Sequence, residues 1–176
     1  SSVCGPYSIP TNLLKCGSQL LSTPISDIIN LSFTEGIFPG SLKLAKVAPI
    51  YKSGPPDLCC NYRPISLLSN ISKILEKAMY TRLYSYLERF KLIYDLQFGF
   101  RKNLSTSHAL INLVTTVSDI LDRNEYGCGL FLDLQKSFDT VNINILLEKL
   151  DIYGVRGTCR KWFESYLQGR QQFVTI

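Results

Sequence analysis

The feature that most restricts the fold of this chain is the run CGLFLDLQKSFDTVN at residues 128–142. Leu130, Phe131, Leu132 and Leu134 surround a single carboxylate, Asp133. A short, continuous apolar run carries the signature of a strand buried on both faces, and a strand ending in Asp holds that carboxylate rigidly at the edge of a sheet. Residues 130–134 are therefore expected to form a strand in the middle of a sheet, beside a terminal strand over 172–176. Asp133 then has two roles open to it, metal ligand or cap of the turn that follows.

The rest of the chain supplies mostly helices. Leu13 and Leu14 mark a short helical turn closed by Gly17, and Thr23-Pro24 reads as an N-cap followed by Pro at the first helical position. Ile25, Ile28, Ile29 and Phe33 give that helix its inner face, with Gly36 as the stop. Residues 47–52 (VAPIYK) are β-like but contain Pro49, which suits an edge strand, and residues 53–57 (SGPPD) form a turn. The clearest helix covers 71–90, where Ile71, Ile74, Leu75, Ala78, Met79, Leu83, Tyr86, Leu87 and Phe90 recur at steps of three and four, with Ser69 or Asn70 as cap. A second amphipathic helix runs from Ser105 or Thr106 towards Asn124, with Leu110, Leu113, Val114, Val117 and Leu121 on one side. Helices over 145–150 and 158–167 follow, the latter ended by Gly169, and a strand begins at Gln172. Helices first and strands mixed with helices later give an α+β fold, without internal repeat or linker.

Composition narrows the classes. A chain of 176 residues with 45% hydrophobic content can bury a substantial core. No apolar run approaches the roughly 18 residues needed to cross a bilayer, so no membrane partner is expected. The opening SSVCGPYSIP has neither an initiator Met nor the charged start and apolar core of a signal peptide. With the final QQFVTI ending in mid-strand, this leads to the expectation of a fragment cut at both ends. The net charge of +5 favours an anionic partner mildly. Arg156, Arg160, Lys161 and Arg170 crowd the last third, and Lys43, Lys46 and Lys52 surround one candidate strand, but no long basic block exists. The six cysteines, at 4, 16, 59, 60, 128 and 159, form no CxxC, and His108 is the single histidine. Reduced thiols in an intracellular protein, nuclear or cytoplasmic rather than secreted, fit this pattern.

Three further segments accompany the Asp133 run: NYRPISLL at 61–68, QFGFRKNLST at 97–106 and SYLQGRQQFV at 165–174. An Arg fork near a helix N-terminus, as at Arg101 before Ser105-Thr106, is suited to gripping phosphate oxygens. The ordered set resembles the reverse transcriptases of non-LTR (LINE-type) retrotransposons, over nearly the whole chain. The resemblance implies a partial right-hand polymerase fold, with fingers over about 1–125 and the start of the palm over 126–176, truncated before the catalytic hairpin. It implies two-metal nucleotidyl transfer with Mg²⁺ (or Mn²⁺), the ligands here being the Asp133 carboxylate and the Leu134 carbonyl. It makes Phe138 the flat wall under the sugar of the incoming nucleotide, which excludes a 2′-hydroxyl; for an isolated Phe the alternative is core packing against the next helix. It gives Arg101 the triphosphate, Arg63 the template or triphosphate, and Lys52 the nucleic-acid backbone, each with a solvated surface cation as the alternative. Arg101, Arg63 and Asp133 are expected to converge on one cleft. RNA template, DNA primer and dNTP are the implied partners; protein partners are left open. Asp139 is assigned to holding the turn.

The chain also departs from the family pattern. Gly5-Pro6-Tyr7-Ser8-Ile9 stands where a Gly-Pro-Asp-Gly-Ile sequence is common, Leu42 where Trp is common, and Ile143 where His is usual. Asp occurs at 27, 57, 95, 119, 122, 133, 139 and 151, never twice in succession, so the aromatic-Ala-Asp-Asp turn that completes the family's site is absent from this sequence. Two readings result: a fragment of an RNA-directed DNA polymerase, nearly inactive alone, or a non-catalytic nucleic-acid-binding or scaffold protein derived from a retroelement. An Asp-dependent phosphotransferase would need a second Asp at position 135, which is Gln.

Overall fold

The computed structural model describes Pro6 and residues 9–174. The 5–9 opening segment and the last two residues of the expected 172–176 strand therefore fall largely outside the described residues. The chain divides into two compact units, one made of Ser1–Leu83 and Asn142–Ile176, the other of Tyr84–Val141.

In the first unit, α1 (Thr11–Cys16) and α2 (Ser18–Glu35) are separated by Gly17 alone. The helix opening expected at Thr23-Pro24 lies instead inside α2, where Pro24 has no N–H to offer the Leu20 carbonyl. The helix runs through this position because the missing bond is on its exposed side, while Ile29 and Phe33 further along pack into the core. Gly36 closes α2 with φ 69°, and a Cβ there would lie 2.8 Å from the Thr158 carbonyl oxygen. Only glycine tolerates both that backbone and that approach.

The sheet comprises β1 (Leu44–Tyr51), β2 (Tyr62–Leu67) and β3 (Gln171–Val174), in the order β2-β1-β3. The edge-strand reading of the Pro49 segment is corrected: β1 is central, antiparallel to β2 and parallel to β3. Two facts reconcile this with a proline. Pairing with β3 stops at Val47, and on the other side Pro49 faces Pro64, two residues that have no donor to exchange.

α3 (Asn70–Arg89) opens with the Ser69 hydroxyl accepting from the Ser72 N–H at 3.1 Å, so Ser69 is the cap. It turns Ser72, Leu75 and Met79 inward. α5 (Ile143–Ile152) is capped by Asn142, whose Oδ1 accepts from the N–H groups of Asn144 and Ile145. α6 (Gly157–Leu167) contributes Trp162, 1% exposed, to a core shared with Phe38, Leu75 and Met79. The indole lies edge-on to Phe33 and Phe38 and stacks on Tyr166, and its Nε1–H donates to the buried Ser32 hydroxyl at 2.9 Å. Ser32 in turn donates to the Ile37 carbonyl at 2.6 Å, and the Phe38 N–H donates to Ser165 Oγ at 3.0 Å. Burial and the neighbouring Glu76 carboxylate raise the Tyr166 phenol above its usual pKa, against the opposing Arg170.

The second unit holds the last six residues of α3, α4 (Thr106–Asp122) and the loops on either side. No residue of α4 is buried, so its apolar stripe faces solvent among the described residues. The expected strand at 130–134 is not formed. Those residues are irregular, with Leu130 82%, Phe131 80%, Leu132 80% and Leu134 75% exposed. An apolar strand is stable when neighbours take its hydrogen bonds and cover its faces. No described strand does so, and β3, the expected neighbour, is committed to β1. The commitment has a local cause: Trp162 anchors α6, three residues lead to β3 with Gly169 at φ 64°, and the Gln171 N–H donates to the Lys43 carbonyl at the start of β1.

Candidate functional site

Four of the candidate residues, Arg101, Asp133, Leu134 and Phe138, belong to the second unit. There Arg101 is a staple. Its Nε lies 3.4 Å from the Glu88 carboxylate in the last turn of α3, and its NH1 donates to the Tyr94 and Asp95 carbonyls at 3.3 and 3.4 Å. Its side chain is 17% exposed, so the guanidinium holds the 94–101 loop to the helix rather than standing free in solvent. On the far side of that anchor the Lys102 N–H donates to the Tyr84 hydroxyl at 3.1 Å. Immediately before these two anchors, Phe100 is held at φ 61°, a backbone region that side chains with a Cβ seldom adopt.

That backbone turns the Phe100 ring outward, 82% exposed, where it meets Phe138 edge to face with centroids 6.0 Å apart and planes at 88°. Such a pair contributes about 0.5–1.5 kcal/mol beyond burial. Phe138 sits in a turn built around Lys136, φ 53°, whose carbonyl accepts from the Asp139 and Thr140 N–H groups at 2.9 and 3.2 Å. The Thr140 hydroxyl adds bonds to the Lys136 and Ser137 carbonyls. At Asp139 it is the backbone N–H that closes this turn. Phe138 is 78% exposed, so it is not the core residue of the alternative reading. The structure thus brings the Arg101 loop and the Asp133–Phe138 segment together through two rings that are 38 positions apart in the chain.

Asp133 and Leu134 are exposed. A carboxylate and a carbonyl are the hard oxygens that Mg²⁺ takes, usually one or two from protein and the rest from phosphate and water. Among the described residues no group of three or more His, Cys, Asp and Glu could hold a metal ion. Asp133 and Leu134 therefore fit as part of a metal centre and do not build a whole one.

Arg63 and Lys52 belong to the first unit and mark the same end of the β1–β2 hairpin. Arg63 faces Ile50 in the ladder, and the Lys52 N–H donates to the Asn61 carbonyl at 2.8 Å. Both side chains are exposed. The connecting loop is tied down: Asn61 Nδ2 donates to the Pro55 carbonyl at 2.7 Å, the Tyr62 hydroxyl to the Pro56 carbonyl at 2.8 Å, and the Tyr51 hydroxyl to the Gly54 carbonyl. Gly54, at φ 95°, leaves no room for a Cβ beside Asn61.

Sequence reasoning missed Glu88 and Phe100. Glu88 carried no signal, being one polar residue on a long helix. Phe100 did, since an exposed aromatic directly before the candidate Arg is what a loop presenting a ring would contain.

Residues 50–175 match the family described as reverse transcriptase (RNA-dependent DNA polymerase). The chain belongs to that family. It is 31% identical over 174 residues to the probable RNA-directed DNA polymerase from transposon BS of Drosophila melanogaster, covering 92% of this chain and 18% of that protein. It is 38% identical over 169 residues to the probable RNA-directed DNA polymerase from transposon X-element of the same organism, covering 89% of this chain and 18% of the relative. Over 116 residues it is 37% identical to the RNA-directed DNA polymerase from mobile element jockey, covering 65% and 13%. The chain thus spans less than a fifth of the length of these curated relatives. The resemblance to non-LTR retrotransposon enzymes holds at the level of family, and no helix is long and apolar enough to cross a membrane among the described residues.

Proposed function

We propose that this chain is the nucleotide-selecting segment of an RNA-directed DNA polymerase from a non-LTR retrotransposon, with fingers over about 1–125 and the start of the palm over 126–176. The observation that supports it most is the contact between Phe100 and Phe138, which couples the loop carrying Arg101 to the segment carrying Asp133. In the whole enzyme Asp133 and the Leu134 carbonyl are ligands for Mg²⁺ (or Mn²⁺), which supplies charge neutralisation at the phosphates of the incoming dNTP. Phe138, exposed and steadied by Phe100, presents a flat face to the sugar and selects deoxyribose by sterics. Arg101 faces the triphosphate, Arg63 the template or triphosphate, and Lys52 the backbone of the RNA template or DNA primer.

Arg101 carries a competing structural duty, and the two are separable. In a full-length polymerase carrying this segment, Arg101→Ala should raise KM for dNTP by about tenfold or more, the size of a lost charge-assisted hydrogen bond. Glu88→Gln, which loosens the same staple from its other end, should lower the thermal midpoint and leave KM unchanged. Steady-state primer extension on an RNA template reads both. If the two variants lose stability alike and KM stays at the parent value in each, Arg101 is a staple only.

A further inference from the structure

The loop that carries Arg101 ends at Ser105, to which the polymerase function proposed above gives no task. Ser105 follows Arg101-Lys102-Asn103-Leu104, so cations stand at the fourth and third positions before it. All of these residues belong to the second unit. Ser105 is exposed, and its backbone, at φ −148° and ψ 172°, is extended just before α4 begins. The approach to it is a turn, with the Leu104 N–H donating to the Arg101 carbonyl at 3.5 Å and Asn103 at φ 62°. Lys102 is exposed, its Nζ 5.3 Å from the centroid of the Tyr84 ring. The Ser105 hydroxyl caps no N–H of the helix; it lies 2.8 Å from His108 Nδ1. Among the described residues, the other serines with a cation three positions before them are Ser18 after Lys15, Ser66 after Arg63 and Ser85 after Arg82. Those stand in α2, β2 and α3, where the backbone is committed to helix or sheet hydrogen bonds.

We propose that Ser105 is a phosphorylation site for a basic-directed serine kinase, and that the phosphate weakens binding of the incoming nucleotide. Such kinases choose acceptors by the pattern of charge around them, their own carboxylates pairing with cations that precede the hydroxyl. They take the acceptor as an extended segment, which Ser105 offers and a serine inside a helix does not. In the transfer Ser105 Oγ attacks the γ-phosphorus of ATP, the bond from that phosphorus to the β–γ bridging oxygen breaks, and ADP leaves. The hydroxyl proton passes to the catalytic carboxylate of the kinase. The product carries about 1.5–2 negative charges at the N-terminus of α4, where the helix dipole favours them. Its oxygens replace the hydroxyl as partners of the His108 imidazole. The effect on nucleotide binding rests on the polymerase reading, in which Arg101 faces the triphosphate. Four residues from Arg101, a phosphate competes for the guanidinium and repels a second polyanion brought to the same place.

The test begins with the 176-residue chain, MgATP and the catalytic subunit of cyclic-AMP-dependent protein kinase, followed by peptide mass spectrometry. Phosphate should appear on Ser105, and Lys102→Gln, shown to be folded by circular dichroism, should slow its incorporation by about tenfold, the loss of one recognised charge. An equal rate in Lys102→Gln, or phosphate chiefly on Ser66 or Ser85, overturns the site. Full-length polymerase carrying this segment is then compared before and after kinase treatment by steady-state primer extension on an RNA template. Treatment should raise KM for dNTP by about tenfold, and Ser105→Ala enzyme should keep the KM of the untreated parent through the same treatment. Extension by the untreated enzyme tests the polymerase reading on its own. An active enzyme whose KM is unmoved by phosphate on Ser105 therefore overturns the regulation and leaves that reading intact.

Discussion

Trp162→Ala should destabilise the first unit by about 3–5 kcal/mol, the range for truncating a buried large aromatic. The side chain is 1% exposed and contacts Phe33, Phe38, Phe163 and Tyr166, so the vacated space is enclosed by rings that cannot all close over it. The substitution also strands a polar group. Ser32, 4% exposed, accepts from the indole N–H, and its other bond, to the Ile37 carbonyl, does not replace that donor. Against a total stability of about 5–15 kcal/mol for a domain, this is a large share. Trp162→Phe separates the contributions: it keeps most of the packing and loses the hydrogen bond, for roughly 1–3 kcal/mol. Urea unfolding followed by circular dichroism measures both. A shift below 1 kcal/mol for Trp162→Ala would show that the ring cluster is not what holds α6 to α2 and α3.

Asp133→Asn should have the opposite profile. The residue is exposed and makes no ion pair among the described residues, so folding should change by no more than about 0.5 kcal/mol. In the full-length enzyme, DNA synthesis should fall by on the order of 10³-fold, the equivalent of about 4 kcal/mol of lost transition-state stabilisation. The amide is nearly isosteric but carries no charge, so a loss of activity without loss of fold assigns the effect to the carboxylate. Primer extension with Mg²⁺, and again with Mn²⁺, measures it. Retained activity would return Asp133 to capping a turn.

Much of this was legible in the sequence. The family, the helices over 71–90 and 158–167 and the stop at Gly36 all follow from periodicity and punctuation that act locally. What failed depended on distant neighbours. Pro24 stands inside α2 because the inward-facing residues further along the helix outweigh one missing hydrogen bond. Pro49 lies in the central strand because it faces another proline, a coincidence of register that no single segment reveals. Residues 130–134 have the composition of a buried strand, yet burial requires a partner, and β3 goes to β1 because α6 places it there. For the site, residue types were readable, but the contact between Phe100 and Phe138, and the Glu88 partner of Arg101, are products of folding.

On the function proposed above, the Phe100–Phe138 contact presents the sugar-selecting face of a DNA polymerase. Its most direct test is single-nucleotide extension of a DNA primer on an RNA template, with dNTP and rNTP compared in parallel, for full-length enzyme carrying Phe138 or Phe138→Val. The valine variant should still incorporate dNTP and gain rNTP incorporation, because the flat ring that meets a 2′-hydroxyl is gone. A folded, active Phe138→Val enzyme with unchanged discrimination between the two sugars would contradict it.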